Sequence, residues 1–181
     1  MSGVLLATVP SQVRHFNPNL GQLYLASSLR HAGIDVRILD LASLYGPSDL
    51  DTLVAAIREQ KPEILGITLF TETALYGYDL VESLDDRTSL CVVAGGPHAS
   101  AEPADVLEHG FDVVVLREGE ETLVELVRVL RSGGVLSDVA GLAWTDESGS
   151  MQTSGLRVLP KDLDLLPGPL DALDLCERDR Y

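Results

Sequence analysis

The hydrophobic positions of this chain form short apolar runs that alternate with segments of helical spacing. The runs are predicted as strands, and they cover residues 4–9, 34–39, 64–69, 90–94 and 113–116. After the second run, Leu50, Leu53, Val54 and Ile57 recur at i, i+3, i+4 and i+7, which predicts a helix. Helical patterns also follow the other four runs. The chain therefore repeats a strand and a helix five times.

Strands that alternate with helices usually pair in parallel through right-handed crossovers. We therefore predict an α/β fold with a flavodoxin-like, doubly wound sheet of five parallel strands and helices on both faces. The run 113–116 favours this arrangement because all its residues are apolar, as in strands that are covered on both faces.

The alternation of strands and helices stops after residue 134. Residues 139–145 and 153–159 are strand-like and flank a polar turn, which predicts a C-terminal β-hairpin. From Pro160 the chain is rich in proline, aspartate and leucine, and it is too interrupted for a regular helix. We predict a linker there, whose leucines either pack on the sheet or contact a neighbouring domain. The predicted units are a Rossmann-like domain over 1–135, a hairpin extension over 136–160 and a linker over 161–181.

The overall charge argues against one class of partner. The chain has 13 basic and 28 acidic side chains and a formal net charge of −15, so a phosphate backbone would be repelled. We expect no nucleic acid partner. No apolar run approaches the roughly 18 residues of a membrane span, and the first residues lack the basic segment of a signal peptide. We therefore expect a cytoplasmic protein without a membrane partner.

Candidate chemistry lies in the loops that follow the strands, because ligands of open parallel sheets bind beyond the carboxyl ends of the strands. Thr68 and Thr71 offer hydroxyl groups to a polar ligand, although Thr71 is equally suited to cap the next helix. Gly95 and Gly96 let the backbone approach a bulky ligand, or simply form a tight turn.

Two further loop features have both a binding and a structural interpretation. His98 could donate to a ligand amide or phosphate, or it could stabilise its own loop. The segment 117–122 carries acidic residues at a helix start, where they also favour the helix dipole. No dinucleotide or P-loop fingerprint is present, and Arg14, His15 and Phe16 are too bulky for a flavin phosphate loop. The four histidines and two cysteines lack the spacing of a metal site.

Taken together, three segments resemble the N-terminal cobalamin (vitamin B12)-binding domain of cobalamin-dependent radical S-adenosylmethionine enzymes. They are residues 19–26, residues 94–103 with Gly-Gly-Pro-His-Ala-Ser at their centre, and residues 112–123 with Arg-Glu-Gly-Glu-Glu-Thr. In that family the corrinoid lies across the carboxyl ends of the strands. The resemblance implies that Thr68, Thr71, Gly95, Gly96 and Pro97 line the nucleotide tail and corrin edge, that His98, Glu118 and Gly119 border the ring, and that Leu20 approaches its lower face.

Two motifs of related proteins are absent from the sequence. The D-x-H-x-x-G signature, through which a histidine ligates cobalt, fits none of His15, His31, His98 and His109. We therefore expect cobalt without a protein histidine ligand. The C-x-x-x-C-x-x-C segment of the iron–sulfur cluster is also missing, so the 4Fe-4S cluster and S-adenosylmethionine would belong to a radical domain supplied in cis or in trans. No catalytic residue is predicted in this chain.

The resemblance implies a corrinoid-binding fragment of a radical methyltransferase or a related radical enzyme. The alternative is an interaction domain that keeps the fold without a cofactor and docks a partner through its leucine-rich tail. A cofactor domain should have an open crevice at the strand ends, lined by Thr71, Gly95 and Gly96. A docking domain should fill that crevice with its own side chains.

Overall fold

One mixed sheet of seven strands organises the molecule. The computed structural model describes residues 3–11, 16–42, 49–84, 87–158 and 162–176. The strand order is β2-β1-β3-β4-β5-β6-β7; the first five strands run parallel, and β6 pairs antiparallel with both β5 and β7. The strands are β1 (Val4–Thr8), β2 (Val36–Asp40), β3 (Ile64–Thr68), β4 (Cys91–Gly95), β5 (Val113–Val115), β6 (Leu142–Thr145) and β7 (Met151–Thr153).

Helices cover both faces of the sheet and enclose two apolar layers. The helices are α1 (Leu20–His31), α2 (Leu50–Gln60), α3 (Ala74–Glu82), α4 (Pro97–Ala101), α5 (Pro103–Glu108) and α6 (Glu120–Ser132). Buried side chains of α1 and α6 pack against one face, whereas those of α2 to α5 pack against the other. The parallel strands have the order 2-1-3-4-5, which is the flavodoxin-like order. The predicted α/β fold is therefore confirmed.

The sheet has seven strands and not the predicted five. β6 extends it because its residues pair with β5, with Val113 opposite Trp144 and Val115 opposite Leu142. Backbone groups along the edge of β5 need partners, and this antiparallel strand supplies them. β7 covers Met151–Thr153, so it ends at residue 153, where the second strand of the predicted hairpin (153–159) was expected to begin.

The segment after β7 returns to α6 and α1. Arg157 donates through Nε to the hydroxyl of Thr122 at 2.8 Å and forms an ion pair with Glu125. Further on, a 3-10 helix over Pro169–Leu175 packs on α1 and buries Ala172 completely. The hydroxyl of Ser27 donates to the carbonyl of Gly168 at 2.8 Å. The tail thus packs on the sheet domain here, while the three-part division of the chain stays a prediction.

The described residues show no membrane-crossing element. None of their helices combines the length and apolar character that a crossing requires.

Candidate functional site

A cavity of about 560 Å³ opens at the carboxyl ends of the parallel strands. Its floor is a row of three aligned residues, because Gly66 of β3 pairs with Leu6 of β1 on one side and with Val93 of β4 on the other. Thr68 and Gly95 lie two residues further along their strands and form part of the rim. The cavity therefore extends about 7 Å below the strand ends, at about 3.3 Å per residue.

Hydrocarbon side chains form the walls of this cavity. Leu25 of α1, Val115 of β5 and Leu123 of α6 line it. The backbone N–H and C=O groups of β1, β3 and β4 are engaged with neighbouring strands. The deep part of the cavity therefore offers apolar surface and few groups that can form hydrogen bonds.

Glycines keep the cavity open. A Cβ atom on Gly66 would lie 2.9 Å from Cδ2 of Leu6, and one on Gly119 would lie 3.0 Å from Cδ2 of Leu25. Gly21 in the first turn of α1 also lines the cavity. A larger residue at Gly66 or Gly119 would collide with a leucine that lines the cavity. These positions show the close approach that a glycine within a strand or at a helix start permits.

The turn after β4 requires a glycine. Gly96 has φ 95° and ψ −179°, a conformation that is essentially restricted to glycine, and a Cβ atom there would lie 2.8 Å from the carbonyl oxygen of Leu69. That oxygen accepts a hydrogen bond from the N–H of His98 at 3.1 Å. Gly95 is the last residue of β4, and after Gly96 the chain enters α4 directly, with Pro97 as its first residue.

The side chain of His98 is held on the other side of α4 by a polar cluster. Its Nε2 lies 2.9 Å from the hydroxyl of Tyr78, which donates to Oδ2 of Asp105 at 2.6 Å. Tyr78 also stacks on His109, with ring centroids 3.8 Å apart. Burial and the carboxylate of Asp105 raise the pKa of Tyr78. His98 therefore contacts the layer of α3 and α5.

Charged residues lie at the rim between β5 and α6. Arg117 has φ 61°, and its N–H donates to the hydroxyl of Ser100 at 2.8 Å. Glu118 is exposed, whereas Glu120 is half-buried, and its burial raises the pKa of its carboxyl group. The residues that line the cavity here are Ser100, Arg117, Glu118 and Glu120. Polar groups therefore surround its entrance.

A second cavity of about 420 Å³ adjoins the first and shares Thr68 and Phe70 with it. Its wall includes Asp40, which accepts a hydrogen bond from the hydroxyl of Thr8. Phe70, Phe16 and Leu20 also line it, and their side chains are exposed. The strand ends thus combine an apolar surface with polar groups beside it.

The structure brings most of the predicted site residues together. Six of them line the first cavity: Thr68, Gly95, Gly96, Pro97, Glu118 and Gly119. Leu20 lines the second cavity. Thr71 and His98 line neither of these cavities. Thr71 is exposed, and it is not the N-cap of α3, because that helix starts after Thr73.

Sequence reasoning missed two cavity-lining glycines. Gly66 was a visible signal, because a glycine within the apolar run 64–69 interrupts an otherwise regular strand pattern. Gly21 was included in a motif but not assigned a place in the site. Arg14 and His15, which the sequence placed in the loop after the first strand, lie outside the described residues.

Histidines do not contribute to these cavities within the described ranges. Nδ1 of His31 lies 3.0 Å from the carbonyl oxygen of Ser27 on α1, to which it can donate a hydrogen bond, and His98 and His109 lie around Tyr78. The same ranges contain no group of three histidine, cysteine or acidic residues arranged to hold a metal ion.

Comparisons with known proteins assign the chain to a family. The protein-family model described as the B12 binding domain matches residues 7–127 of this chain. A protein of Pyrococcus horikoshii described as an uncharacterized methyltransferase is 34% identical over 168 residues, which cover 91% of this chain and 35% of that protein. This chain thus spans about a third of that relative's length.

Two solved structures share the fold. The cobalamin-dependent S-adenosylmethionine radical enzyme OxsB with bound aqua-cobalamin superposes with a TM-score of 0.80 at 18% identity, over 96% of this chain and 25% of that one. The radical S-adenosylmethionine methyltransferase TsrM from Kitasatospora setae, with bound cobalamin and a [4Fe-4S] cluster, gives 0.72 at 23% identity, over 92% and 31%. The resemblance inferred from the sequence is confirmed: the chain belongs to the B12 binding domain family.

Proposed function

We propose that this domain binds cobalamin, with the nucleotide tail in the first cavity and the corrin ring across the strand ends. The observation that carries the proposal is the open, apolar cavity between α1 and α6 in a member of the B12 binding domain family. Its volume falls within the range of about 300 to 1,000 Å³ that is usual for small-molecule sites.

The residues at the cavity fit such a ligand. Gly66 and Gly119 leave space that a Cβ atom would narrow, and Gly96 brings backbone to the rim where a side chain would collide. Thr68 and Ser100 place hydroxyl groups near the entrance, where they can hydrogen-bond the phosphate and ribose of a nucleotide tail. An apolar interior with a few polar groups at its mouth is typical of cofactor sites.

The ring would lie without a histidine ligand to cobalt. Phe16, Leu20 and Phe70 present exposed apolar surface beside the cavity mouth, which suits the flat face of a macrocycle. The three histidines in the described ranges are engaged elsewhere, at Ser27 and around Tyr78. The corrinoid would then depend on tail burial and apolar contact for its affinity.

The whole enzyme would be a cobalamin-dependent radical methyltransferase. When bound, cobalamin would supply a cobalt centre that carries the methyl group. The residues of this domain would bind the cofactor, orient its ring and exclude water from one face. A radical domain with a 4Fe-4S cluster and S-adenosylmethionine, in cis or in trans, would cover the other face.

The alternative of a cofactor-free docking domain predicts a crevice filled by the protein's own side chains. The crevice is open, and Gly95 and Gly96 line it. This observation favours the cofactor domain.

A titration of the purified chain with hydroxocobalamin tests the proposal. Co-elution on gel filtration, together with a shift of the visible spectrum, is the expected result. Gly95→Leu should weaken binding, because a Cβ atom at Gly95 meets nothing within 4 Å and the longer side chain would enter the cavity. Gly168→Leu is the matched control, since Gly168 also has free space around it but lies on the tail beside α1.

Failure of the wild-type chain to retain hydroxocobalamin would contradict the proposal. Equal weakening by Gly95→Leu and Gly168→Leu would place the ligand elsewhere.

A further inference from the structure

We propose that the first cavity selects corrinoids whose tail ends in a hydrocarbon-edged base, of the benzimidazole class, over those whose tail ends in a purine. This inference rests on the proposed function and adds the identity of the tail that the site prefers. It follows from how apolar and polar groups are distributed along the depth of the cavity.

The polar lining residues all lie at the entrance. They are Asn19 at the start of α1, Thr68 at the end of β3, Ser100 in α4, Arg117 and Glu118 before α6, and Glu120 as the first residue of α6. These residues can contact the phosphate and sugar of a tail. None of them belongs to the row of residues that forms the floor.

The floor has no side chain that can form a hydrogen bond. Leu6, Gly66 and Val93 lie in the middle of adjacent parallel strands, and their backbone groups are used within the sheet. Leu25 and Leu123 enclose this level from α1 and α6. A base that reaches the floor therefore meets hydrocarbon on its face and at its far edge.

The two classes of base differ at that far edge. A dimethylbenzimidazole carries methyl groups there, whose burial between leucines and valines is favourable. An adenine carries an exocyclic amine and ring nitrogens, which would lose their water without gaining partners. One such unpaired group weakens binding by roughly tenfold or more.

The test compares three probes on the same purified chain. They are hydroxocobalamin, its adeninyl analogue, and cobinamide, which lacks the nucleotide. Dissociation constants come from calorimetry and from the visible spectrum. We expect hydroxocobalamin to bind about tenfold or more tightly than the adeninyl analogue. Cobinamide should also bind more weakly than hydroxocobalamin, because it leaves the cavity empty.

A pair of variants separates the protein's preference from differences between the free ligands. Val93→Thr places a hydroxyl in the floor without a change of size, and Val92→Thr places the same group in the opposite layer, where Val92 is fully buried. The preference for hydroxocobalamin should shrink by about threefold or more in Val93→Thr. It should remain unchanged in Val92→Thr. The base-on equilibrium of each free corrinoid cancels in this comparison.

The outcomes distinguish the inference from the proposed function. If none of the three probes binds, the proposed function fails. If all three bind equally, the tail lies outside the cavity, and the inference is overturned while corrinoid binding stands. If the two nucleotide-bearing probes bind equally and more tightly than cobinamide, the tail is in the cavity but the selectivity is refuted.

Discussion

The two glycines at the end of β4 should respond in opposite ways to the same substitution. An alanine at position 96 would have to adopt a backbone conformation that is essentially restricted to glycine. Its Cβ atom would lie 2.8 Å from the carbonyl oxygen of Leu69. That carbonyl group is held in place, because its oxygen accepts a hydrogen bond from the N–H of His98. At Gly95, a Cβ atom would meet nothing within 4 Å.

The expected magnitudes follow from this difference. Gly96→Ala should lower the free energy of unfolding by about 2 to 4 kcal/mol, from a backbone strain of about 1 to 3 kcal/mol and the added collision. Gly95→Ala should stay within about 0.5 kcal/mol of the wild type. Because unfolding free energies of domains are only about 5 to 15 kcal/mol, the first change is readily measured.

Urea unfolding, followed by circular dichroism and by the fluorescence of Trp144 on β6, measures both variants. Equal stability of Gly96→Ala and the wild type would refute the reasoning about this turn. A loss of more than about 1 kcal/mol in Gly95→Ala would show that the space beside Gly95 is not free in solution.

Three further predictions concern the surroundings of the site. Arg157→Ala should lower the free energy of unfolding by about 1 to 2 kcal/mol in urea titrations, since it removes the hydrogen bond to Thr122 and an ion pair. Ala172→Asp should lower the free energy of unfolding by about 2 kcal/mol or more in the same assay, because Ala172 is fully buried. Leu170→Asp on the same 3-10 helix should leave the free energy of unfolding nearly unchanged, because Leu170 is exposed. Burial raises the pKa of Glu120, so the folded state loses stability as pH rises through that pKa. Glu120→Gln should therefore stabilise the protein by a few tenths of a kcal/mol at pH 7, after screening by solvent, and thermal unfolding should show no gain below about pH 4.

The positions of the main elements could be predicted because each has a local signal. The spacing of Leu50, Leu53, Val54 and Ile57 predicted α2, whose bounds are Leu50–Gln60. The five apolar runs became the five parallel strands, with ends that differ by a residue or two. Periodicity depends only on neighbouring residues, so it needs no knowledge of tertiary contacts.

Features that depend on distant contacts were not predictable in the same way. The pairing of β6 with β5 joins Val113 to Trp144, and no local pattern states which edge of a sheet accepts an additional strand. The short helix α4 was missed because Ala99 is its only buried residue. The orientation of His98 depends on Tyr78, which is 20 residues away in the chain.

The glycines of the cavity include some that the sequence pointed to and one that it did not. The adjacent pair Gly95 and Gly96 was predicted to let backbone approach a ligand or to form a tight turn, and both residues line the cavity. Gly66 lies deeper, and its importance appears only when Leu6 and Val93 are aligned beside it. A glycine in a strand signals close approach, but the sheet register decides what approaches.

The antiparallel extension of the sheet also changes the strand edge that the domain presents beyond β5. A long, exposed strand at a sheet edge can recruit a second sheet and start aggregation. β7 has only three residues, and the chain turns at Gly155, whose N–H is bonded to the hydroxyl of Thr153. By ending the sheet in so short a strand, the extension shields the edge of β5 and leaves little backbone there for another chain to pair with.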